Sequence, residues 1–384
     1  MKFIAMPFLE NRKAVMRKSI AILGIRGIPA AHGGFETFAE YLSLYLAERE
    51  WDVTVYCQED DGAQDIHEDV WRGVRRIFVP TKRSGALGTV EFDWKSIRHA
   101  AKERHPLVLT LGYNTASFCA FYKLSGVKNV INMDGIEWMR DKWKPHERAW
   151  LWLNERIGCL IGDHLVADHP QIKEHLKTRV SEEKITMIPY GARPVESADA
   201  SCLDQYGLEP GRFLCVIARP EPENSVLEVV QAFSRKPRGI KLLMLGKYDA
   251  SANGFHAQVL SAASDEVIFP GAIYDKRVVD SIRFYSLAYI HGHRVGGTNP
   301  SLVEALGAKS AVVAHDNRFN RWVAGDGAIY FDSVDSCERV LESITSDSDL
   351  SKRLKAESWR RFNSEFTWGH VLAQYESLLI KFSR

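Results

Sequence analysis

Two stretches of the chain place glycines directly before an apolar helix, a combination that suits the binding of an anion. Residues 291–307, "HGHRVGGTNPSLVEALG", join a donor-rich loop to a predicted helix with Pro300 near its first turn. Residues 24–38, "GIRGIPAAHGGFETF", place Gly33 and Gly34 before another predicted helix. The first N–H groups of a helix lack intrahelical acceptors and lie at the positive end of its dipole. Both stretches therefore predict phosphate-binding loops, although the second also fits a glycine-rich turn of structural use only.

The helix that follows the loop "RVGGTNP" offers several groups to a diphosphate. Thr298, Asn299 or Ser301 can cap it, and we expect the N–H groups of Ser301 and Leu302 to be free for phosphate oxygens. Glu304 lies close enough to the start of this helix to reach a sugar hydroxyl beside the diphosphate. The alternative is that Glu304 only complements the helix dipole.

Arg219 is a third candidate, because it ends the buried strand predicted at "RFLCVIAR". An arginine in that place is costly unless it meets an anion or an acidic partner. The anion would be a diphosphate, and the acidic partner would be Glu221 or Glu223. The sequence leaves both interpretations open.

The composition argues against several other classes of function. A formal net charge of +1 provides no overall field for nucleic acid. The six cysteines are scattered without a C-x-x-C or Cys/His cluster, and no carboxylate pair suits Mg²⁺, so we expect no disulfide framework, no metal and no cofactor. Glycines at positions 24, 27, 33 and 34 depart from the G-x-G-x-x-G pattern, which makes a nicotinamide-dependent dehydrogenase a distant alternative.

These loops must be held by the elements around them. From Ser19 onwards, apolar runs such as "SIAILG" and "DVTVYC" alternate with amphipathic segments such as "FETFAEYLSLYLAER". This alternation predicts a parallel sheet covered on both faces. The alternation of apolar runs and amphipathic segments stops in "PVESADASCLD" and then begins again. The sequence therefore predicts an α/β protein of two tandem Rossmann-like, doubly wound domains that face a central cleft at the carboxyl ends of their strands.

The predicted boundaries are an extension over residues 1–18, a first domain over residues 19–195 and a second domain over residues 196–367. Residues 368–384 are predicted to form a helix that crosses back onto the first domain. The basic extension suits contact with an anionic membrane, or it is disordered, or it precedes the true start of the protein. We expect no signal peptide and no membrane span, and the scattered cysteines favour the reducing cytoplasm.

Several of these motifs occur together, in the same order, in a known class of enzymes. "GIRGIPAAHGGFETF", "NMDGIEWMRDKW", "IPYGA", "ARPEPEN" and "HGHRVGGTNPSLVEA" resemble the retaining nucleotide-sugar glycosyltransferases built from two Rossmann-like domains, the GT-B type. More narrowly, they resemble the bacterial polysaccharide subfamily that includes rhamnosyltransferases. The resemblance covers nearly the whole chain. It implies that the first domain binds an acceptor and the second binds a nucleotide sugar, which is a substrate rather than a cofactor.

The resemblance also implies roles for individual residues. Gly33 and Gly34 would cover the donor phosphates, Arg219 would pair with the diphosphate, and Glu304 would bind the ribose. Arg219, Glu304 and Asp134 are the candidate catalytic residues. The base would lie against Gly271, Ala272 and Ile273, and the remaining candidate donor-binding residues are Asn224, His293, Gly297, Thr298, Asn299, Pro300, Ser301 and Leu302.

Three positions depart from the pattern of the wider family. Gly296 stands eight positions before Glu304, where a carboxylate that grips the donor sugar is expected. Asn224 replaces a lysine, and Met133 replaces a histidine before Asp134. We interpret these departures as features of the narrower subfamily, which makes a 6-deoxy sugar such as rhamnose plausible.

The acceptor is expected to lie against Asp134, Glu137, Trp138 and Arg140, just after a strand of the first domain. Asp134 would orient an acceptor hydroxyl, or it is a helix cap. The tryptophans and basic residues that follow suit an anionic membrane surface carrying a lipid-diphosphate-linked acceptor, or they belong to an ordinary buried helix.

The sequence thus predicts a retaining transfer of a hexose or deoxyhexose from a nucleoside-diphosphate sugar to a hydroxyl of a glycan or lipid-linked saccharide. The setting would be bacterial cell-surface polysaccharide synthesis, in the cytoplasm or peripherally on the inner face of its membrane. Two alternatives share the architecture: a non-catalytic subunit that binds sugar nucleotides, and a sugar-nucleotide 2-epimerase.

Overall fold

The computed structural model describes residues 17–31, 33–60 and 64–383. Nearly all of the predicted extension, residues 1–18, therefore lies outside the described residues, together with its predicted contact to a membrane. Among the described residues, no helix has both the length and the apolar character needed to cross a bilayer.

The first half of the chain forms a sheet of eight strands, ordered β3-β4-β2-β1-β5-β6-β7-β8 and parallel except for the edge strand β3. Parallel strands buried on both faces are nearly all apolar, as in β1 and β5. The strands are β1 (Ser19–Leu23), β2 (Asp52–Glu59), β3 (His67–Trp71), β4 (Val74–Pro80), β5 (Leu107–Leu111), β6 (Lys128–Asn132), β7 (His164–Ala167) and β8 (Ile185–Met187).

Helices cover both faces of this sheet. Ile20 and Ile22 of β1 point into a core shared with one set of helices, whereas Ala21 and Leu23 point into a core on the opposite face. The first set is α1 (Gly34–Ala47) and the C-terminal helix, and the second set is α2 (Gly85–Glu103), α3 (Ala120–Ser125), α4 (Pro145–Ile161) and α5 (Pro170–Lys177).

The second half forms a sheet of six parallel strands, ordered β11-β10-β9-β12-β13-β14. Its strands are β9 (Phe213–Ile217), β10 (Lys241–Leu245), β11 (Val267–Gly271), β12 (Ala288–His291), β13 (Val312–His315) and β14 (Ala328–Phe331). Its helices are α6 (Val226–Ser234), α7 (Gly254–Ser261), α8 (Lys276–Tyr285), α9 (Pro300–Gly307), α10 (Arg318–Ala324), α11 (Val334–Ser346) and α12 (Ser348–Glu365).

The last helix, α13 (Trp368–Phe382), returns to the first half, as predicted. Its buried residues share a core with α1, and the rings of Phe38 and Tyr375 lie 4.6 Å apart. The chain passes between the two halves at two adjacent places. The Ala192 N–H donates to the Phe366 carbonyl at 2.8 Å, and the Trp368 N–H donates to the Ala192 carbonyl at 3.3 Å.

The predicted fold class, two doubly wound parallel sheets with a returning C-terminal helix, is confirmed. Strand β3 was not predicted from the sequence. Its segment "HEDVW" is exposed at four of five positions, so it lacks the apolar pattern by which the other strands were recognised.

Candidate functional site

The loops after the strands of the two sheets meet in a narrow, glycine-lined cleft. The Thr298 N–H donates to Asp168 Oδ2 at 3.0 Å, which joins the loop after β12 to the end of β7. A Cβ atom on Gly34 would lie 2.9 Å from Pro300 Cγ, and one on Gly297 would lie 2.2 Å from Asp168 Oδ1. The two loops singled out in the sequence therefore lie against each other, and their glycines are needed for this close approach.

Helix α1 presents an open N-terminus to this cleft. Its N-cap is Gly33, with a φ of 61°, and no side chain of the described residues caps the helix. The carboxylates of Glu36 and Glu40, on the first turns, instead accept from the N–H groups of Arg26 at 3.2 Å and Ala30 at 2.6 Å. The first N–H groups of α1 are thus available to an anion.

Helix α9 is different, and here the sequence-based expectation was wrong. Asn299 is the N-cap, and its side chain accepts from the Ser301 N–H at 3.0 Å. The Leu302 N–H donates to the Asn299 carbonyl at 3.1 Å. The N–H groups expected to be free for phosphate oxygens are therefore already bonded, because asparagine is among the most effective N-caps. Thr298 is likewise engaged, since it bonds to Asp168 through both its N–H and its hydroxyl.

Arg219 follows β9 and is exposed. Its loop is held in place because the Asn224 amide donates to the Arg219 carbonyl at 2.8 Å, so the buried Asn224 supports this loop rather than facing the cleft. The Ser301 hydroxyl donates to the Ile217 carbonyl at 3.3 Å, which places α9 beside the end of β9. Arg219 forms no ion pair with any acid in the described parts of the chain, and Glu223, one of its predicted partners, pairs with Arg140 instead.

Lys142 and Arg140 add positive charge beside Arg219. Burial lowers the pKa of Lys142, and the charges of Arg140 and Arg219 lower it further. Arg140 donates to Glu137 at 2.9 Å and also pairs with Glu223 across the cleft. Two carboxylates thus balance Arg140, whereas no carboxylate of the described residues pairs with Arg219. The sequence predicts no donor role for Lys142.

His293 lies behind these cations and is held neutral. Burial lowers its pKa to about 3, and the charges of Arg219 and Arg140 contribute. Its ring stacks on that of His291 with 4.3 Å between centroids, and its carbonyl accepts from Asn317 and Asn320. A neutral imidazole here can donate or accept one hydrogen bond but adds no charge to the site.

Glu304 is positioned by a buried arginine that sequence reasoning missed. Arg283 Nη2 lies 2.5 Å from Glu304 Oε2, with side-chain exposures of 5% and 38% respectively. Arg283 also donates to the Ser301 hydroxyl at 3.3 Å. Its position within the amphipathic helix α8 gave no sign of this contact. The pairing leaves Glu304 accessible while fixing its orientation.

Gly271, Ala272 and Ile273, the predicted contacts of a base, lie at the carboxyl end of the edge strand β11 and in the loop after it. The Gly271 carbonyl accepts from the Gly246 N–H at 3.1 Å, which fixes the loop to the end of β10. Ala272 is exposed and Ile273 is half-buried against the second core. This segment can offer backbone groups and an apolar surface at the border of the cleft.

Two carboxylates of the first half approach the cleft from β6 and β7. Asp134 has a left-handed backbone, with a φ of 51°, and burial followed by repulsion from Glu137 raises its pKa to about 6. Burial raises the pKa of Asp168 well above its usual range, with a contribution from Asp134. Asp168 ends the predicted strand "HLVAD" and was not recognised as a site residue, although a polar residue at a strand end was the available signal.

The expected acceptor contacts beyond Asp134 are largely used within the protein. Trp138 donates its indole N–H to the buried carboxylate of Glu155 at 2.7 Å and packs on the core beneath α4. Glu137 and Arg140 neutralise each other. The indole N–H of Trp138 is therefore not available to an acceptor, because a buried glutamate inside the fold takes this donor, and contact of the ring with an acceptor stays a prediction.

A separate cavity of about 180 Å³ opens between the ends of β1 and β5, where the strand order of the first sheet reverses. Arg26, Gln58 and Asn114 are among the polar groups that line it. Burial raises the pKa of Asp93, in its wall, to about 6, and Asp93 Oδ2 accepts from the Thr115 hydroxyl at 2.8 Å. Glu36, which also lines the cavity, connects it to the open end of α1.

No group of three or more histidine, cysteine, aspartate or glutamate side chains in the described structure is arranged to hold a metal ion. The six cysteines are all buried and unpaired.

Comparison with known proteins decides the architecture. Residues 17–193 match a family model described as a domain of unknown function, DUF1972. A search of curated protein sequences gives no match. Among solved structures, sucrose-phosphate synthase from Thermosynechococcus elongatus is similar to this chain with a TM-score of 0.78 and 17% identity, over 95% of this chain and 99% of that one. This chain has the GT-B fold.

Two further structures agree. Anabaena HepE, in complex with UDP and glucose, has a TM-score of 0.74 and 13% identity, over 94% of this chain and 99% of its own. The α,α-trehalose-phosphate synthase (UDP-forming) from Burkholderia xenovorans, in complex with glucose-6-phosphate, has a TM-score of 0.70 and 12% identity, with the same coverage. At these identities the likeness establishes the fold, and the function must be argued from the site.

Proposed function

We propose that this protein is a retaining glycosyltransferase that moves a hexose or deoxyhexose, rhamnose being a candidate, from a nucleoside-diphosphate sugar to a hydroxyl group. The acceptor would be a glycan or a lipid-diphosphate-linked saccharide of bacterial cell-surface polysaccharide synthesis, handled in the cytoplasm or on the inner face of its membrane. The observation that carries the proposal is Arg219, an exposed guanidinium without an acidic partner among the described residues, at the end of the central strand β9.

The diphosphate would lie between Arg219 and the open N-terminus of α1. Lys142 supplies a second cation. The loop before α9 forms the opposite wall of the cleft and does not donate to the diphosphate, because the N–H groups of Thr298 and Ser301 are already hydrogen-bonded within the protein. Fixed cations and N–H groups in a narrow cleft stabilise the negative charge that develops on a leaving diphosphate. The proposal requires no metal ion, because these groups belong to the protein itself.

The two ends of the donor have separate supports in this scheme. Glu304, oriented by Arg283, would accept hydrogen bonds from the ribose hydroxyls. The base would lie against Gly271, Ala272 and Ile273. HepE, which has the same fold, was solved in complex with UDP and glucose. This similarity supports the proposal that a nucleotide binds in the cleft of this chain.

In the transfer step, the bond from the anomeric carbon to the diphosphate oxygen breaks and a bond to the acceptor oxygen forms on the same face of the sugar. The acceptor hydroxyl would lose its proton to Asp134, whose raised pKa of about 6 suits a general base near neutral pH. The cavity lined by Asp93 and Asn114 is also lined by Glu36, in the first turn of α1, and is large enough for one sugar unit of the acceptor.

A thermal-shift panel followed by a turnover assay tests this function. UDP, dTDP and GDP and their glucose, rhamnose and mannose conjugates are the ligands, and one of them should raise the melting temperature through selective binding to the folded state. Arg219→Ala should abolish that shift and lower kcat/KM by about 10²–10³-fold, the usual effect of losing one charge-stabilising donor. Arg339→Ala, which removes an exposed arginine on α11, is the matched control.

Each outcome of these assays has a distinct meaning. A shift with no transfer to any hydroxyl acceptor would indicate a binding subunit instead of an enzyme. Conversion of the sugar without an acceptor would indicate an epimerase. Equal behaviour of the Arg219 and Arg339 variants would contradict the assignment of the diphosphate to Arg219.

A further inference from the structure

The outer surface of helices α2, α3 and α4 is unusually apolar. Eleven large apolar side chains of the described residues are exposed, and only one of them, Tyr274, follows residue 160. Seven lie on these three neighbouring helices, and we call this surface the α2–α4 face: Leu87, Trp94, Leu124, Trp150, Trp152, Leu153 and Leu160. Contiguous apolar side chains on a protein surface mark a place where another molecule binds.

Helix α4 shows this most clearly, because it is apolar on two opposite sides. Its inner side buries Leu151 and Cys159 in the core. On its outer side, Trp150, Leu153 and Leu160 are spaced by three and seven residues and so form one line along the helix. Leu160 is 77% exposed. Packing within the fold explains the inner side but leaves Leu153 and Leu160 of the outer line exposed.

Basic residues accompany these apolar side chains. A groove of about 460 Å³ beside the end of α2 is lined by Arg98, Lys102 and Arg104, with Phe121 and Leu124 as its apolar part, and no acid lines it. Leu124 is 83% exposed. Three cations around an apolar recess complement an anionic group attached to hydrocarbon.

Two pairs of cations and tryptophans lie on α2 and α4. The Arg98 guanidinium lies 5.5 Å from the centre of the Trp94 ring, and the Arg156 guanidinium lies 3.5 Å from the centre of the Trp152 ring. Tryptophan rings with cations beside them are typical of the boundary between water and lipid, where the ring enters the headgroup region and the cation meets phosphate.

We infer that the α2–α4 face binds the surface of a bilayer that contains anionic phospholipid. The inference deepens the proposed function and rests on it for its biological use, since it specifies where a lipid-linked acceptor would meet the enzyme. The geometry connects the two: Trp150, on this face, donates its indole N–H to the carbonyl of Asn114, and Asn114 also lines the cavity between β1 and β5. A saccharide held at the membrane surface would enter that cavity beside the bound lipid.

Vesicle sedimentation tests the inference. One set of vesicles is pure phosphatidylcholine, and the other is phosphatidylcholine with about 30% phosphatidylglycerol. The wild-type protein should sediment with the anionic vesicles and much less with the neutral ones, and salt should weaken the binding. Leu153→Asp combined with Leu160→Asp should reduce the partition coefficient by about tenfold or more, because it removes apolar insertion and adds negative charge. Arg98→Glu combined with Lys102→Glu should reduce it to a similar extent.

Matched controls lie on the other half of the protein. Tyr274→Ser removes an apolar side chain that is 85% exposed, more than Leu153 or Leu160, and Arg339→Glu reverses an exposed cation. Neither change should alter vesicle binding. All six altered positions are on the surface, and a urea unfolding curve for each variant establishes that it folds. Nucleotide binding by thermal shift should be unchanged in the variants of the α2–α4 face, which separates a failure of this inference from a failure of the proposed function.

Three results would overturn the inference. The first is wild-type protein that stays in the supernatant with anionic vesicles. The second is equal loss of binding in the Tyr274 or Arg339 controls. The third is analytical ultracentrifugation showing a dimer that Leu153→Asp with Leu160→Asp disperses, since the face would then be covered by a second copy of the chain.

Discussion

Arg140 and Glu223 form an ion pair that joins the two halves of the protein across the cleft, and both side chains are largely buried there. Arg140 comes from the loop after β6, and Glu223 comes from the turn after β9 that also carries Arg219. The pair therefore sets the distance between the Arg219 loop of the second sheet and the Asp134 loop of the first.

The change Glu223→Gln tests this pair. It leaves Arg140 with one carboxylate partner, Glu137, and we expect the free energy of unfolding to fall by about 2 kcal/mol, since breaking one side of a largely buried pair leaves charge uncompensated. Urea unfolding measures the effect. Glu357→Gln, at a more exposed pair with Arg360 on α12, is the control and should cost less than about 1 kcal/mol. Equal costs at the two sites would contradict a special role for the cross-cleft pair.

Gly297→Ala tests the closeness of the cleft. A Cβ at this position would lie 2.2 Å from Asp168 Oδ1, so the loop after β12 must move away from the end of β7. We expect a loss of about 1–3 kcal/mol of stability by overpacking, together with weaker nucleotide binding. Gly369→Ala, on α13 with open space around it, should change stability by less than about 1 kcal/mol. A Gly297→Ala variant with the same free energy of unfolding as the wild type would show that the cleft has room for a Cβ atom at this position.

Arg283→Met tests a positioning residue, because Arg283 orients Glu304 without itself reaching the proposed donor. The KM for the nucleotide sugar should rise about tenfold, about 1.4 kcal/mol of binding, with a smaller change in kcat. Arg238→Met, which removes an arginine bonded to the Phe233 carbonyl at 2.9 Å, is the control for a merely structural loss. A fall in stability with an unchanged KM would mean that Glu304 does not depend on Arg283.

Asp93→Asn tests the buried carboxyl in the wall of the cavity through its pH dependence. Burial raises the pKa of Asp93 to about 6, above the value of about 3.9 in an unfolded chain. Asp93 therefore favours folding fully below about pH 4, and this contribution is lost as the pH rises through about 6. The asparagine variant lacks this dependence. Relative to the wild type it should gain up to about 3 kcal/mol of stability between pH 4 and pH 7.5, as measured by urea unfolding. A difference that does not vary with pH would contradict the raised pKa.

Much of the fold could be predicted from the sequence because the buried strands are short apolar runs and the helices between them are amphipathic. All six strands of the second sheet were recognised in this way, as was the returning helix α13. The antiparallel edge strand β3 was missed, since a strand exposed on both faces has no apolar periodicity to detect.

The candidate site was only partly predictable. Glycines before helices and an arginine at a strand end are local signals, and the structure shows in addition that Gly34 and Pro300 lie against each other. Which of three residues caps α9 is decided by backbone geometry, so the choice of Asn299, and with it the loss of the free N–H groups, was not visible in the sequence. Contacts between distant segments, such as Arg283 with Glu304, depend on the packing of α8 against α9.

The two passages of the chain between the sheets have a mechanical consequence. Ala192 forms backbone hydrogen bonds with Phe366 and Trp368, the residues on either side of Thr367. The two connections between the halves are therefore joined to each other instead of being independent. Two connections joined in this way resist sliding and separation of the two halves but allow the halves to bend about one line. We therefore expect an opening that admits a substrate to be a rotation about that line, with its largest displacement at the rim farthest from residue 192.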